Sequence, residues 1–349
     1  MTEALKETTR PETVQGKSTY RAVQVVSPGK WELTSKAILD PPFGHVRIRV
    51  EACGVCHSDA ATVDGLFPIE WPRVPGHELV GRIDAIGGHV EGWTVGQRVG
   101  VGFLAGSCGH CGYCRAGDLV NCQNQGYTGT HTDGGYAEVM IAKASGLISI
   151  PDGLNSVDAA PLLCAGLTTF SALRNAPAKA GDLVAVLGIG GLGHLAVQYA
   201  RQMGFEVAAI GRGSDRTELA KKLGAHHYID NSTVDVGQAL QKLGSAALVV
   251  ATAPAGKATS ALVTGVRPRG HLIALGVAPD PMELSSSALI FGSRSIDGAL
   301  TGDPGDITLK FSALAGVKPM IETMPLEQAR EAYAHMLSGK ARFRVVLTM

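Results

Sequence analysis

Four cysteines, Cys108, Cys111, Cys114 and Cys122, follow one another as Cys-x2-Cys-x2-Cys-x7-Cys. Four thiolates at that spacing match a closed tetrahedral zinc site, which staples a loop and leaves no coordination position for water. An iron–sulfur cluster or surface disulfides would use the same residues, and spacing alone leaves the iron–sulfur reading open. A second set is dispersed: Cys53-Gly-Val-Cys56-His57-Ser58-Asp59, then Pro75-Gly76-His77-Glu78, and much later Cys164. Cys56, His77 and Cys164 would supply two thiolates and one imidazole, keeping the fourth position for chemistry, with Glu78 as an alternating fourth ligand. Cys53-x2-Cys56-His57 also matches haem c attachment and, more loosely, a redox Cys-x-x-Cys. Haem attachment normally follows export, and a thioredoxin-like motif needs a βαβ unit beside it. Any one of these residues alone reads as a buried cysteine or a satisfied core histidine, so the metal reading rests on the set.

The third chemical signal is Gly188-Ile-Gly190-Gly191-Leu192-Gly193, directly after the apolar run 183–187 and opening a helix-like segment. In a dinucleotide-binding turn Gly188 makes the tight turn, Gly190 lets backbone approach the pyrophosphate, and Gly193 permits close helix–strand packing. The helix N-terminus adds amide donors and a positive dipole for the phosphates. The bland alternative is a structural glycine turn. NAD enzymes usually carry an acid at the tip of the second strand, about twenty residues on, to hold the ribose 2′-hydroxyl. Here the segment 206–210 runs into Gly211-Arg212-Gly213-Ser214. Arg212 would pair with a 2′-phosphate, with Ser214 and Arg216 nearby, which favours NADP(H) over NAD(H). Asp215 is the residue that would overturn this, although it reads better as an acid near the next helix start. A solvated surface charge is the bland reading of Arg212.

These residues need two supports. The chain has 349 residues, long for one core, so two domains are expected. Lys+Arg and Asp+Glu both number 31, which gives no electrostatic case for nucleic acid or an anionic membrane and points to a small-molecule partner. The polar N-terminal stretch lacks an apolar signal core, and clustered cysteines suit metal more than disulfides, so a cytoplasmic location is expected. Residues 1–17 read as a flexible lead-in. Short β-type segments at 20–26, 45–52, 79–86, 98–103 and 136–141 suggest a barrel-like β domain over 18–165, with a cysteine lobe at 106–126. Residues 159–175 look helical. From there 183–187, 191–203, 206–210, 215–223, 226–229, 248–251, 257–263 and 272–275 alternate strand and helix. That alternation is the mark of a doubly wound parallel sheet, placed at 166–305. The alternation fades after 306; a helix at 326–337 and a strand at 343–347 would return to the first domain over 306–349. The apolar stretch 288–291 reads as a sheet edge for dimerisation or as core.

On these motifs the chain resembles the medium-chain, zinc-dependent alcohol dehydrogenases, in length the shorter bacterial and yeast-type enzymes. Gly76-His77-Glu78-x2-Gly81-x5-Gly87-x2-Val90 is similar to the family's zinc signature, and Pro161-Leu-Leu-Cys164-Ala-Gly166-Leu-Thr168 to the segment with the last catalytic ligand. The resemblance implies a GroES-like β-barrel catalytic domain around a Rossmann domain (α/β plus β) and two zinc ions per chain. It implies catalytic zinc on Cys56, His77 and Cys164 beside Glu78, with Asp59 fixing the His77 tautomer. Ser58 would bind the substrate oxygen and start the proton relay. His57 and Arg344 would contact the pyrophosphate, Thr168 and Leu192 the nicotinamide, and Phe67 and Phe103 would wall the substrate pocket, with Trp71 adding apolar surface. Leu275 and Val277 complete the cofactor-binding candidates. The activity implied is reversible hydride transfer between NAD(P)(H) and a primary or secondary alcohol and its aldehyde or ketone. Two other readings stand beside it: a same-scaffold reductase of a C=N or C=C bond, and a non-catalytic nucleotide-binding sensor switching through Cys53 and Cys56. Relatives of this length imply a homotetramer or dimer. One departure concerns the relay: where many members carry histidine, this chain has Ala61.

Overall fold

The computed structural model describes residues 17–302 and 306–349. The lead-in expected over 1–17 lies outside these apart from Lys17, as does the expected domain join at 305. The strands β1 (Thr19–Ser27) and β2 (Lys30–Ala37) form an antiparallel hairpin. β2 was not expected from sequence, because most of its residues are polar and none of them is buried. Next come β3 (His45–Val55), β4 (Leu79–Ile86), β5 (Arg98–Val101), β6 (Val139–Lys143) and β7 (Leu147–Ser149). After them lie β8 (Leu183–Leu187), β9 (Glu206–Gly211), β10 (His227–Asp230), β11 (Ala246–Ala251), β12 (Val266–Ala274) and β13 (Ser295–Gly298). The last two are β14 (Ile321–Pro325) and β15 (Arg344–Thr348).

β8 to β13 form a parallel sheet in the order β10-β9-β8-β11-β12-β13. Counted from β8 this is 3-2-1-4-5-6, the order in which a dinucleotide lies across the carboxyl ends of the two central strands. Every residue of β8 and β11 is buried, as expected of parallel strands covered on both faces. The other large sheet runs β14-β15-β3-β4-β5-β7, with β6 also on β3. Its interior holds fully buried Ile48, Leu79, Ile83 and Tyr136, each aliphatic side chain contributing roughly 1.5–3 kcal/mol by burial. β15 pairs antiparallel with β3, Val345 opposite Val55, so the chain's end lies beside the strand that leads into Cys56.

Several elements differ from expectation. The helix over 159–175 is broken into Ser156–Ala159, a 3-10 turn Ala160–Leu163, and Ala165–Asn175, with a 56° bend. Cys164 sits at the break with φ −127 and ψ −73, outside helical geometry. β5 stops two residues early and β6 starts three later than the segments 98–103 and 136–141. Helices Val236–Lys242 and Asp306–Ala315, and strand β14, have too little apolar periodicity to be read from sequence. The stretch 288–291 is not a sheet edge: it belongs to helix Ser286–Ile290 and its end, with Ala288 and Leu289 packed partly against the core while Phe291 is 90% exposed. β13, which follows it and pairs with β12, takes the edge. Among the described residues no single helix is long and apolar enough to cross a membrane.

Candidate active site

Cys56 follows β3 in an extended conformation and caps the 3-10 turn His57–Asp59. That turn brings the Asp59 carboxylate back: Oδ2 accepts the Cys56 N–H at 2.9 Å and the Tyr136 hydroxyl at 2.8 Å. Asp59 Oδ1 lies 2.9 Å from His77 Nδ1. A carboxylate oxygen needs a donor, so Nδ1 carries the proton, the arrangement that aims Nε2 of a histidine at a cation. His77 Nε2 is buried and has no partner. Gly76 precedes it because only glycine fits: φ is +96, and a Cβ there would lie 2.3 Å from the Tyr136 ring.

Ligand atoms of Cys56, His77, Glu78 and Cys164 all lie within 4.8 Å of one another. The Cys56 and Cys164 sulfurs are 3.9 Å apart, brought together by the helix break. At that separation the two thiols share a proton, with Cys56 pulled well below the usual thiol range by its bond to Cys164, and Cys164 pushed well above it. Burial alone would lower the His77 pKa, but the Asp59 charge and hydrogen bond outweigh it and hold the ring's pKa up. Glu78 is fully buried and forms an ion pair with buried Arg344 through Oε1. Burial pushes its carboxyl up to about 7 although Arg344 pulls it down. Its Oε2 has no partner. Two thiols that share a proton, an unpartnered imidazole nitrogen and an unpartnered carboxylate oxygen suit one divalent cation, and a two-sulfur, one-nitrogen donor set is that of zinc.

Cys53 takes no part. It is fully buried in the barrel core, its thiol against Gly76 and Gly135, and burial pushes its pKa well up. None of the seven cysteines is in a disulfide. A Cys53–Cys56 switch or a doubly attached haem would need the two sulfurs to share one site, and here the Cys53 thiol lies against Gly76 and Gly135 while that of Cys56 meets Cys164. Above the donors, Phe103 meets the His77 ring edge-on at 5.2 Å and stacks on Tyr127 at 4.6 Å. Phe67, 45% exposed, lies 6.3 Å from Tyr127. Tyr127 was missed from sequence, where it sits in a Gly-rich stretch without periodicity. Trp71 instead packs against the barrel core. His57 and Ser58 are exposed at the mouth, and Ala61 is buried.

Cys108, Cys111, Cys114 and Cys122 converge as a second four-sulfur cluster within the same 4.8 Å limit. The Cys108 amide donates to Cys122 Sγ at 3.3 Å, and the Cys114 amide to Cys111 Sγ at 3.5 Å. Asn124 and nearby backbone amides pull Cys108 down to about 5, toward the thiolate that a metal needs.

The glycine loop sits at the end of β8. Gly188 has φ +90, and a Cβ on Gly193 would lie 1.7 Å from the Gly188 carbonyl, so the helix Gly193–Gln202 approaches the strand too closely for a side chain. Gly190 differs: a Cβ there would meet nothing within 4 Å. That opening, at the carboxyl end of β8, is the cradle a dinucleotide pyrophosphate would fill. Leu192 packs partly against the core, Thr168 is buried on the helix Ala165–Asn175, and a Cβ on Gly191 would touch Arg344 Nη1 at 2.9 Å. Arg344 therefore lies between Gly191 and Glu78. At the β9 tip Asp230 accepts the Gly213 amide at 2.8 Å, and the Tyr228 hydroxyl donates to the Gly213 carbonyl at 2.7 Å. Arg212, Ser214 and Asp215 are exposed beside Gly211. Arg216 does not join them. Its Nη1 donates to the Ile189 carbonyl at 2.8 Å and its guanidinium lies over Phe343, which pins the glycine loop from outside. Leu275 is partly buried, and Val277 is 93% exposed in the loop after β12.

Residues 42–152 match the family model for the alcohol dehydrogenase GroES-like domain, and residues 191–315 that for zinc-binding dehydrogenases. The chain is 41% identical over 319 residues to alcohol dehydrogenase patD of Penicillium expansum, covering 91% of this chain and 94% of that protein. Among solved structures it resembles CAD from Helicobacter pylori complexed with NADP(H), at TM-score 0.84 and 27% identity, over 95% of this chain and 98% of the other. It also resembles acetophenone reductase from Geotrichum candidum in complex with NAD, at TM-score 0.83 and 27% identity, over the same shares of the two chains.

Proposed function

The chain belongs to the medium-chain, zinc-binding alcohol dehydrogenase family, oxidoreductases that interconvert alcohols with aldehydes or ketones, and from that premise we propose the particulars of its site. Catalytic zinc is held by Cys56, His77 and Cys164 with Glu78 as the spare donor, structural zinc by Cys108, Cys111, Cys114 and Cys122, and NADP(H) is the preferred carrier. The observation that carries the reading is the convergence of four donors in which His77 Nε2 and Glu78 Oε2 are buried without a partner. Two such atoms are costly unless a cation takes them.

When bound, zinc supplies a Lewis acid that lowers the pKa of an alcohol oxygen or polarises a carbonyl, and the nicotinamide supplies the two-electron carrier. The chain's own groups do the rest. Asp59 keeps the proton on His77 Nδ1, held there by the Cys56 amide and the Tyr136 hydroxyl. Phe103 and Tyr127 cover His77 and exclude water from that side, which strengthens the local electrostatics. Ser58, exposed at the mouth, takes the substrate hydroxyl proton and passes it to water. No histidine at 61 extends the relay. The aromatic wall of Phe67, Phe103 and Tyr127 suits aromatic or medium aliphatic carbonyl compounds. Arg212, exposed at the strand tip beside Gly211, receives a 2′-phosphate. Unpaired thiols suit a reducing cytoplasm, and the exposed Ile290 and Phe291 suit a homo-oligomer, dimer or tetramer.

The test combines one variant with two titrations. Cys56→Ala loses turnover with aldehydes and alcohols, keeps its affinity for the dinucleotide, and carries one zinc fewer per chain. Wild-type protein binds NADPH about tenfold tighter than NADH, a difference of about 1.4 kcal/mol, and Arg212→Ala removes it. Normal turnover in Cys56→Ala would refute the zinc assignment, and tighter NADH binding the cofactor assignment.

A further inference from the structure

His194, one residue into the helix that the glycine loop opens, is completely buried. Its Nδ1 lies 2.9 Å from the Gly190 carbonyl oxygen, and its Nε2 accepts the Met320 N–H at 3.1 Å. Both partners are backbone groups with one possible role each, so the ring is the neutral tautomer protonated on Nδ1. Burial agrees, pushing its pKa down to about 4. The ring lies 5.1 Å from that of Phe343.

Met320 precedes β14, and its carbonyl accepts the amides of Phe343 and Arg344, each at 2.9 Å. Arg344 in turn is paired with Glu78. A second tie runs parallel: Gln198, one turn along the same helix, donates to the Lys318 carbonyl at 3.0 Å and accepts the Lys318 amide at 3.2 Å. An unbroken run of polar contacts thus leads from the Gly190 carbonyl through His194, the Met320 peptide and Arg344 to Glu78. The Gly190 carbonyl accepts both the His194 amide, at 3.1 Å, and the ring Nδ1–H; the ring bond is the second anchor that holds it inward, so the open side of that residue stays turned toward the cradle.

We propose that His194 is a positioning residue. Its Nδ1–H sets the glycine loop for the dinucleotide, and its Nε2 fastens that loop to the segment that carries Arg344 toward the metal donors. This inference rests on the dinucleotide reading of the loop. It makes the two halves of the imidazole separable, because an asparagine amide nitrogen replaces Nδ1 and a glutamine amide oxygen replaces Nε2.

The experiment measures nicotinamide fluorescence with NADPH and NADH for wild type, His194→Asn and His194→Gln, beside thermal melts of each. His194→Asn, which keeps a donor to Gly190, binds the dinucleotide within about twofold of wild type. His194→Gln, which keeps only the acceptor for Met320, binds about fivefold more weakly or worse, the loss expected for one hydrogen bond. Equal loss in both variants would reduce His194 to a packing residue and overturn the proposal, as would wild-type affinity in His194→Gln. If either variant melts well below wild type, Gln198→Ala decides. It cuts the Lys318 tie, leaves the His194–Gly190 bond and keeps dinucleotide affinity; a raised dissociation constant there overturns the proposal. Failure of the wild-type protein to bind either dinucleotide would be a different result, against the reading of the loop itself.

Discussion

Replacing Gly190 by alanine separates folding from binding at the glycine loop. The new Cβ would meet nothing within 4 Å, and Gly190 is not among the residues with positive φ. The folded state therefore accepts the methyl without strain, while the unfolded chain loses freedom. Such substitutions stabilise by about 0.4–1 kcal/mol, so the melting temperature stays level or rises slightly. The same methyl stands in the space assigned to the pyrophosphate. Forcing an extra methyl into a packed contact costs about 1–3 kcal/mol, which corresponds to roughly a 5- to 150-fold weaker dinucleotide complex. Gly193→Ala is the contrast. Its Cβ would lie 1.7 Å from the Gly188 carbonyl, so loop and helix must part, and stability falls together with binding. Fluorescence titration with NADPH and NADH, paired with thermal melts, reads both quantities on each variant. A Gly190→Ala protein that binds dinucleotide within twofold of wild type would refute the placement of the pyrophosphate over Gly190.

Two further expectations follow from named contacts. Tyr136→Phe keeps the ring against Gly76 and its stacking on Trp31 at 6.5 Å, but takes one of three hydrogen bonds from Asp59. Stability should drop by about 1 kcal/mol, and zinc should leave to a chelator several-fold faster; an unchanged melt and release rate would show that Asp59 does not need the tyrosine. His194 gives a pH dependence of known sign. Its folded pKa, about 4, lies below the ordinary histidine value of 6.5, so the folded state binds fewer protons between those values. Its contribution is complete above about pH 6.5, is lost as pH falls toward 4, and levels off below, with a span of about 3 kcal/mol. Melts of wild type and His194→Asn across that window should differ by a narrowing gap as the pH falls, and parallel curves would contradict the buried neutral ring.

The residues of the site were legible in the chain because their chemistry is coded locally. The four-cysteine spacing, the Gly76-His77-Glu78 triplet and the glycine loop each sit in a short segment with few physical uses. The alternation of apolar runs likewise announced the parallel sheet, since β8 and β11 are apolar throughout. What sequence could not supply is where separated segments meet. Pro161 and Gly166 mark residues 159–175 as a segment where a helix can break, but nothing local says that the bend falls at Cys164 or where it aims that sulfur. Only packing between the two large sheets turns that sulfur toward Cys56. Tyr136 and Tyr127 are ordinary aromatic residues until folding sets one hydroxyl on Asp59 and the other ring on Phe103. Arg216 has the same charge and neighbourhood as Arg212 in the chain, yet the Ile189 carbonyl and Phe343 capture it. His194 carries no motif of its own; its meaning depends on a backbone amide at Met320, 126 residues away. Amino-acid type and spacing therefore determined which chemistry the protein can do. Tertiary structure decided which of those groups share a site, since a side chain's partners across the fold are set by the closure of sheets and not by its neighbours in sequence.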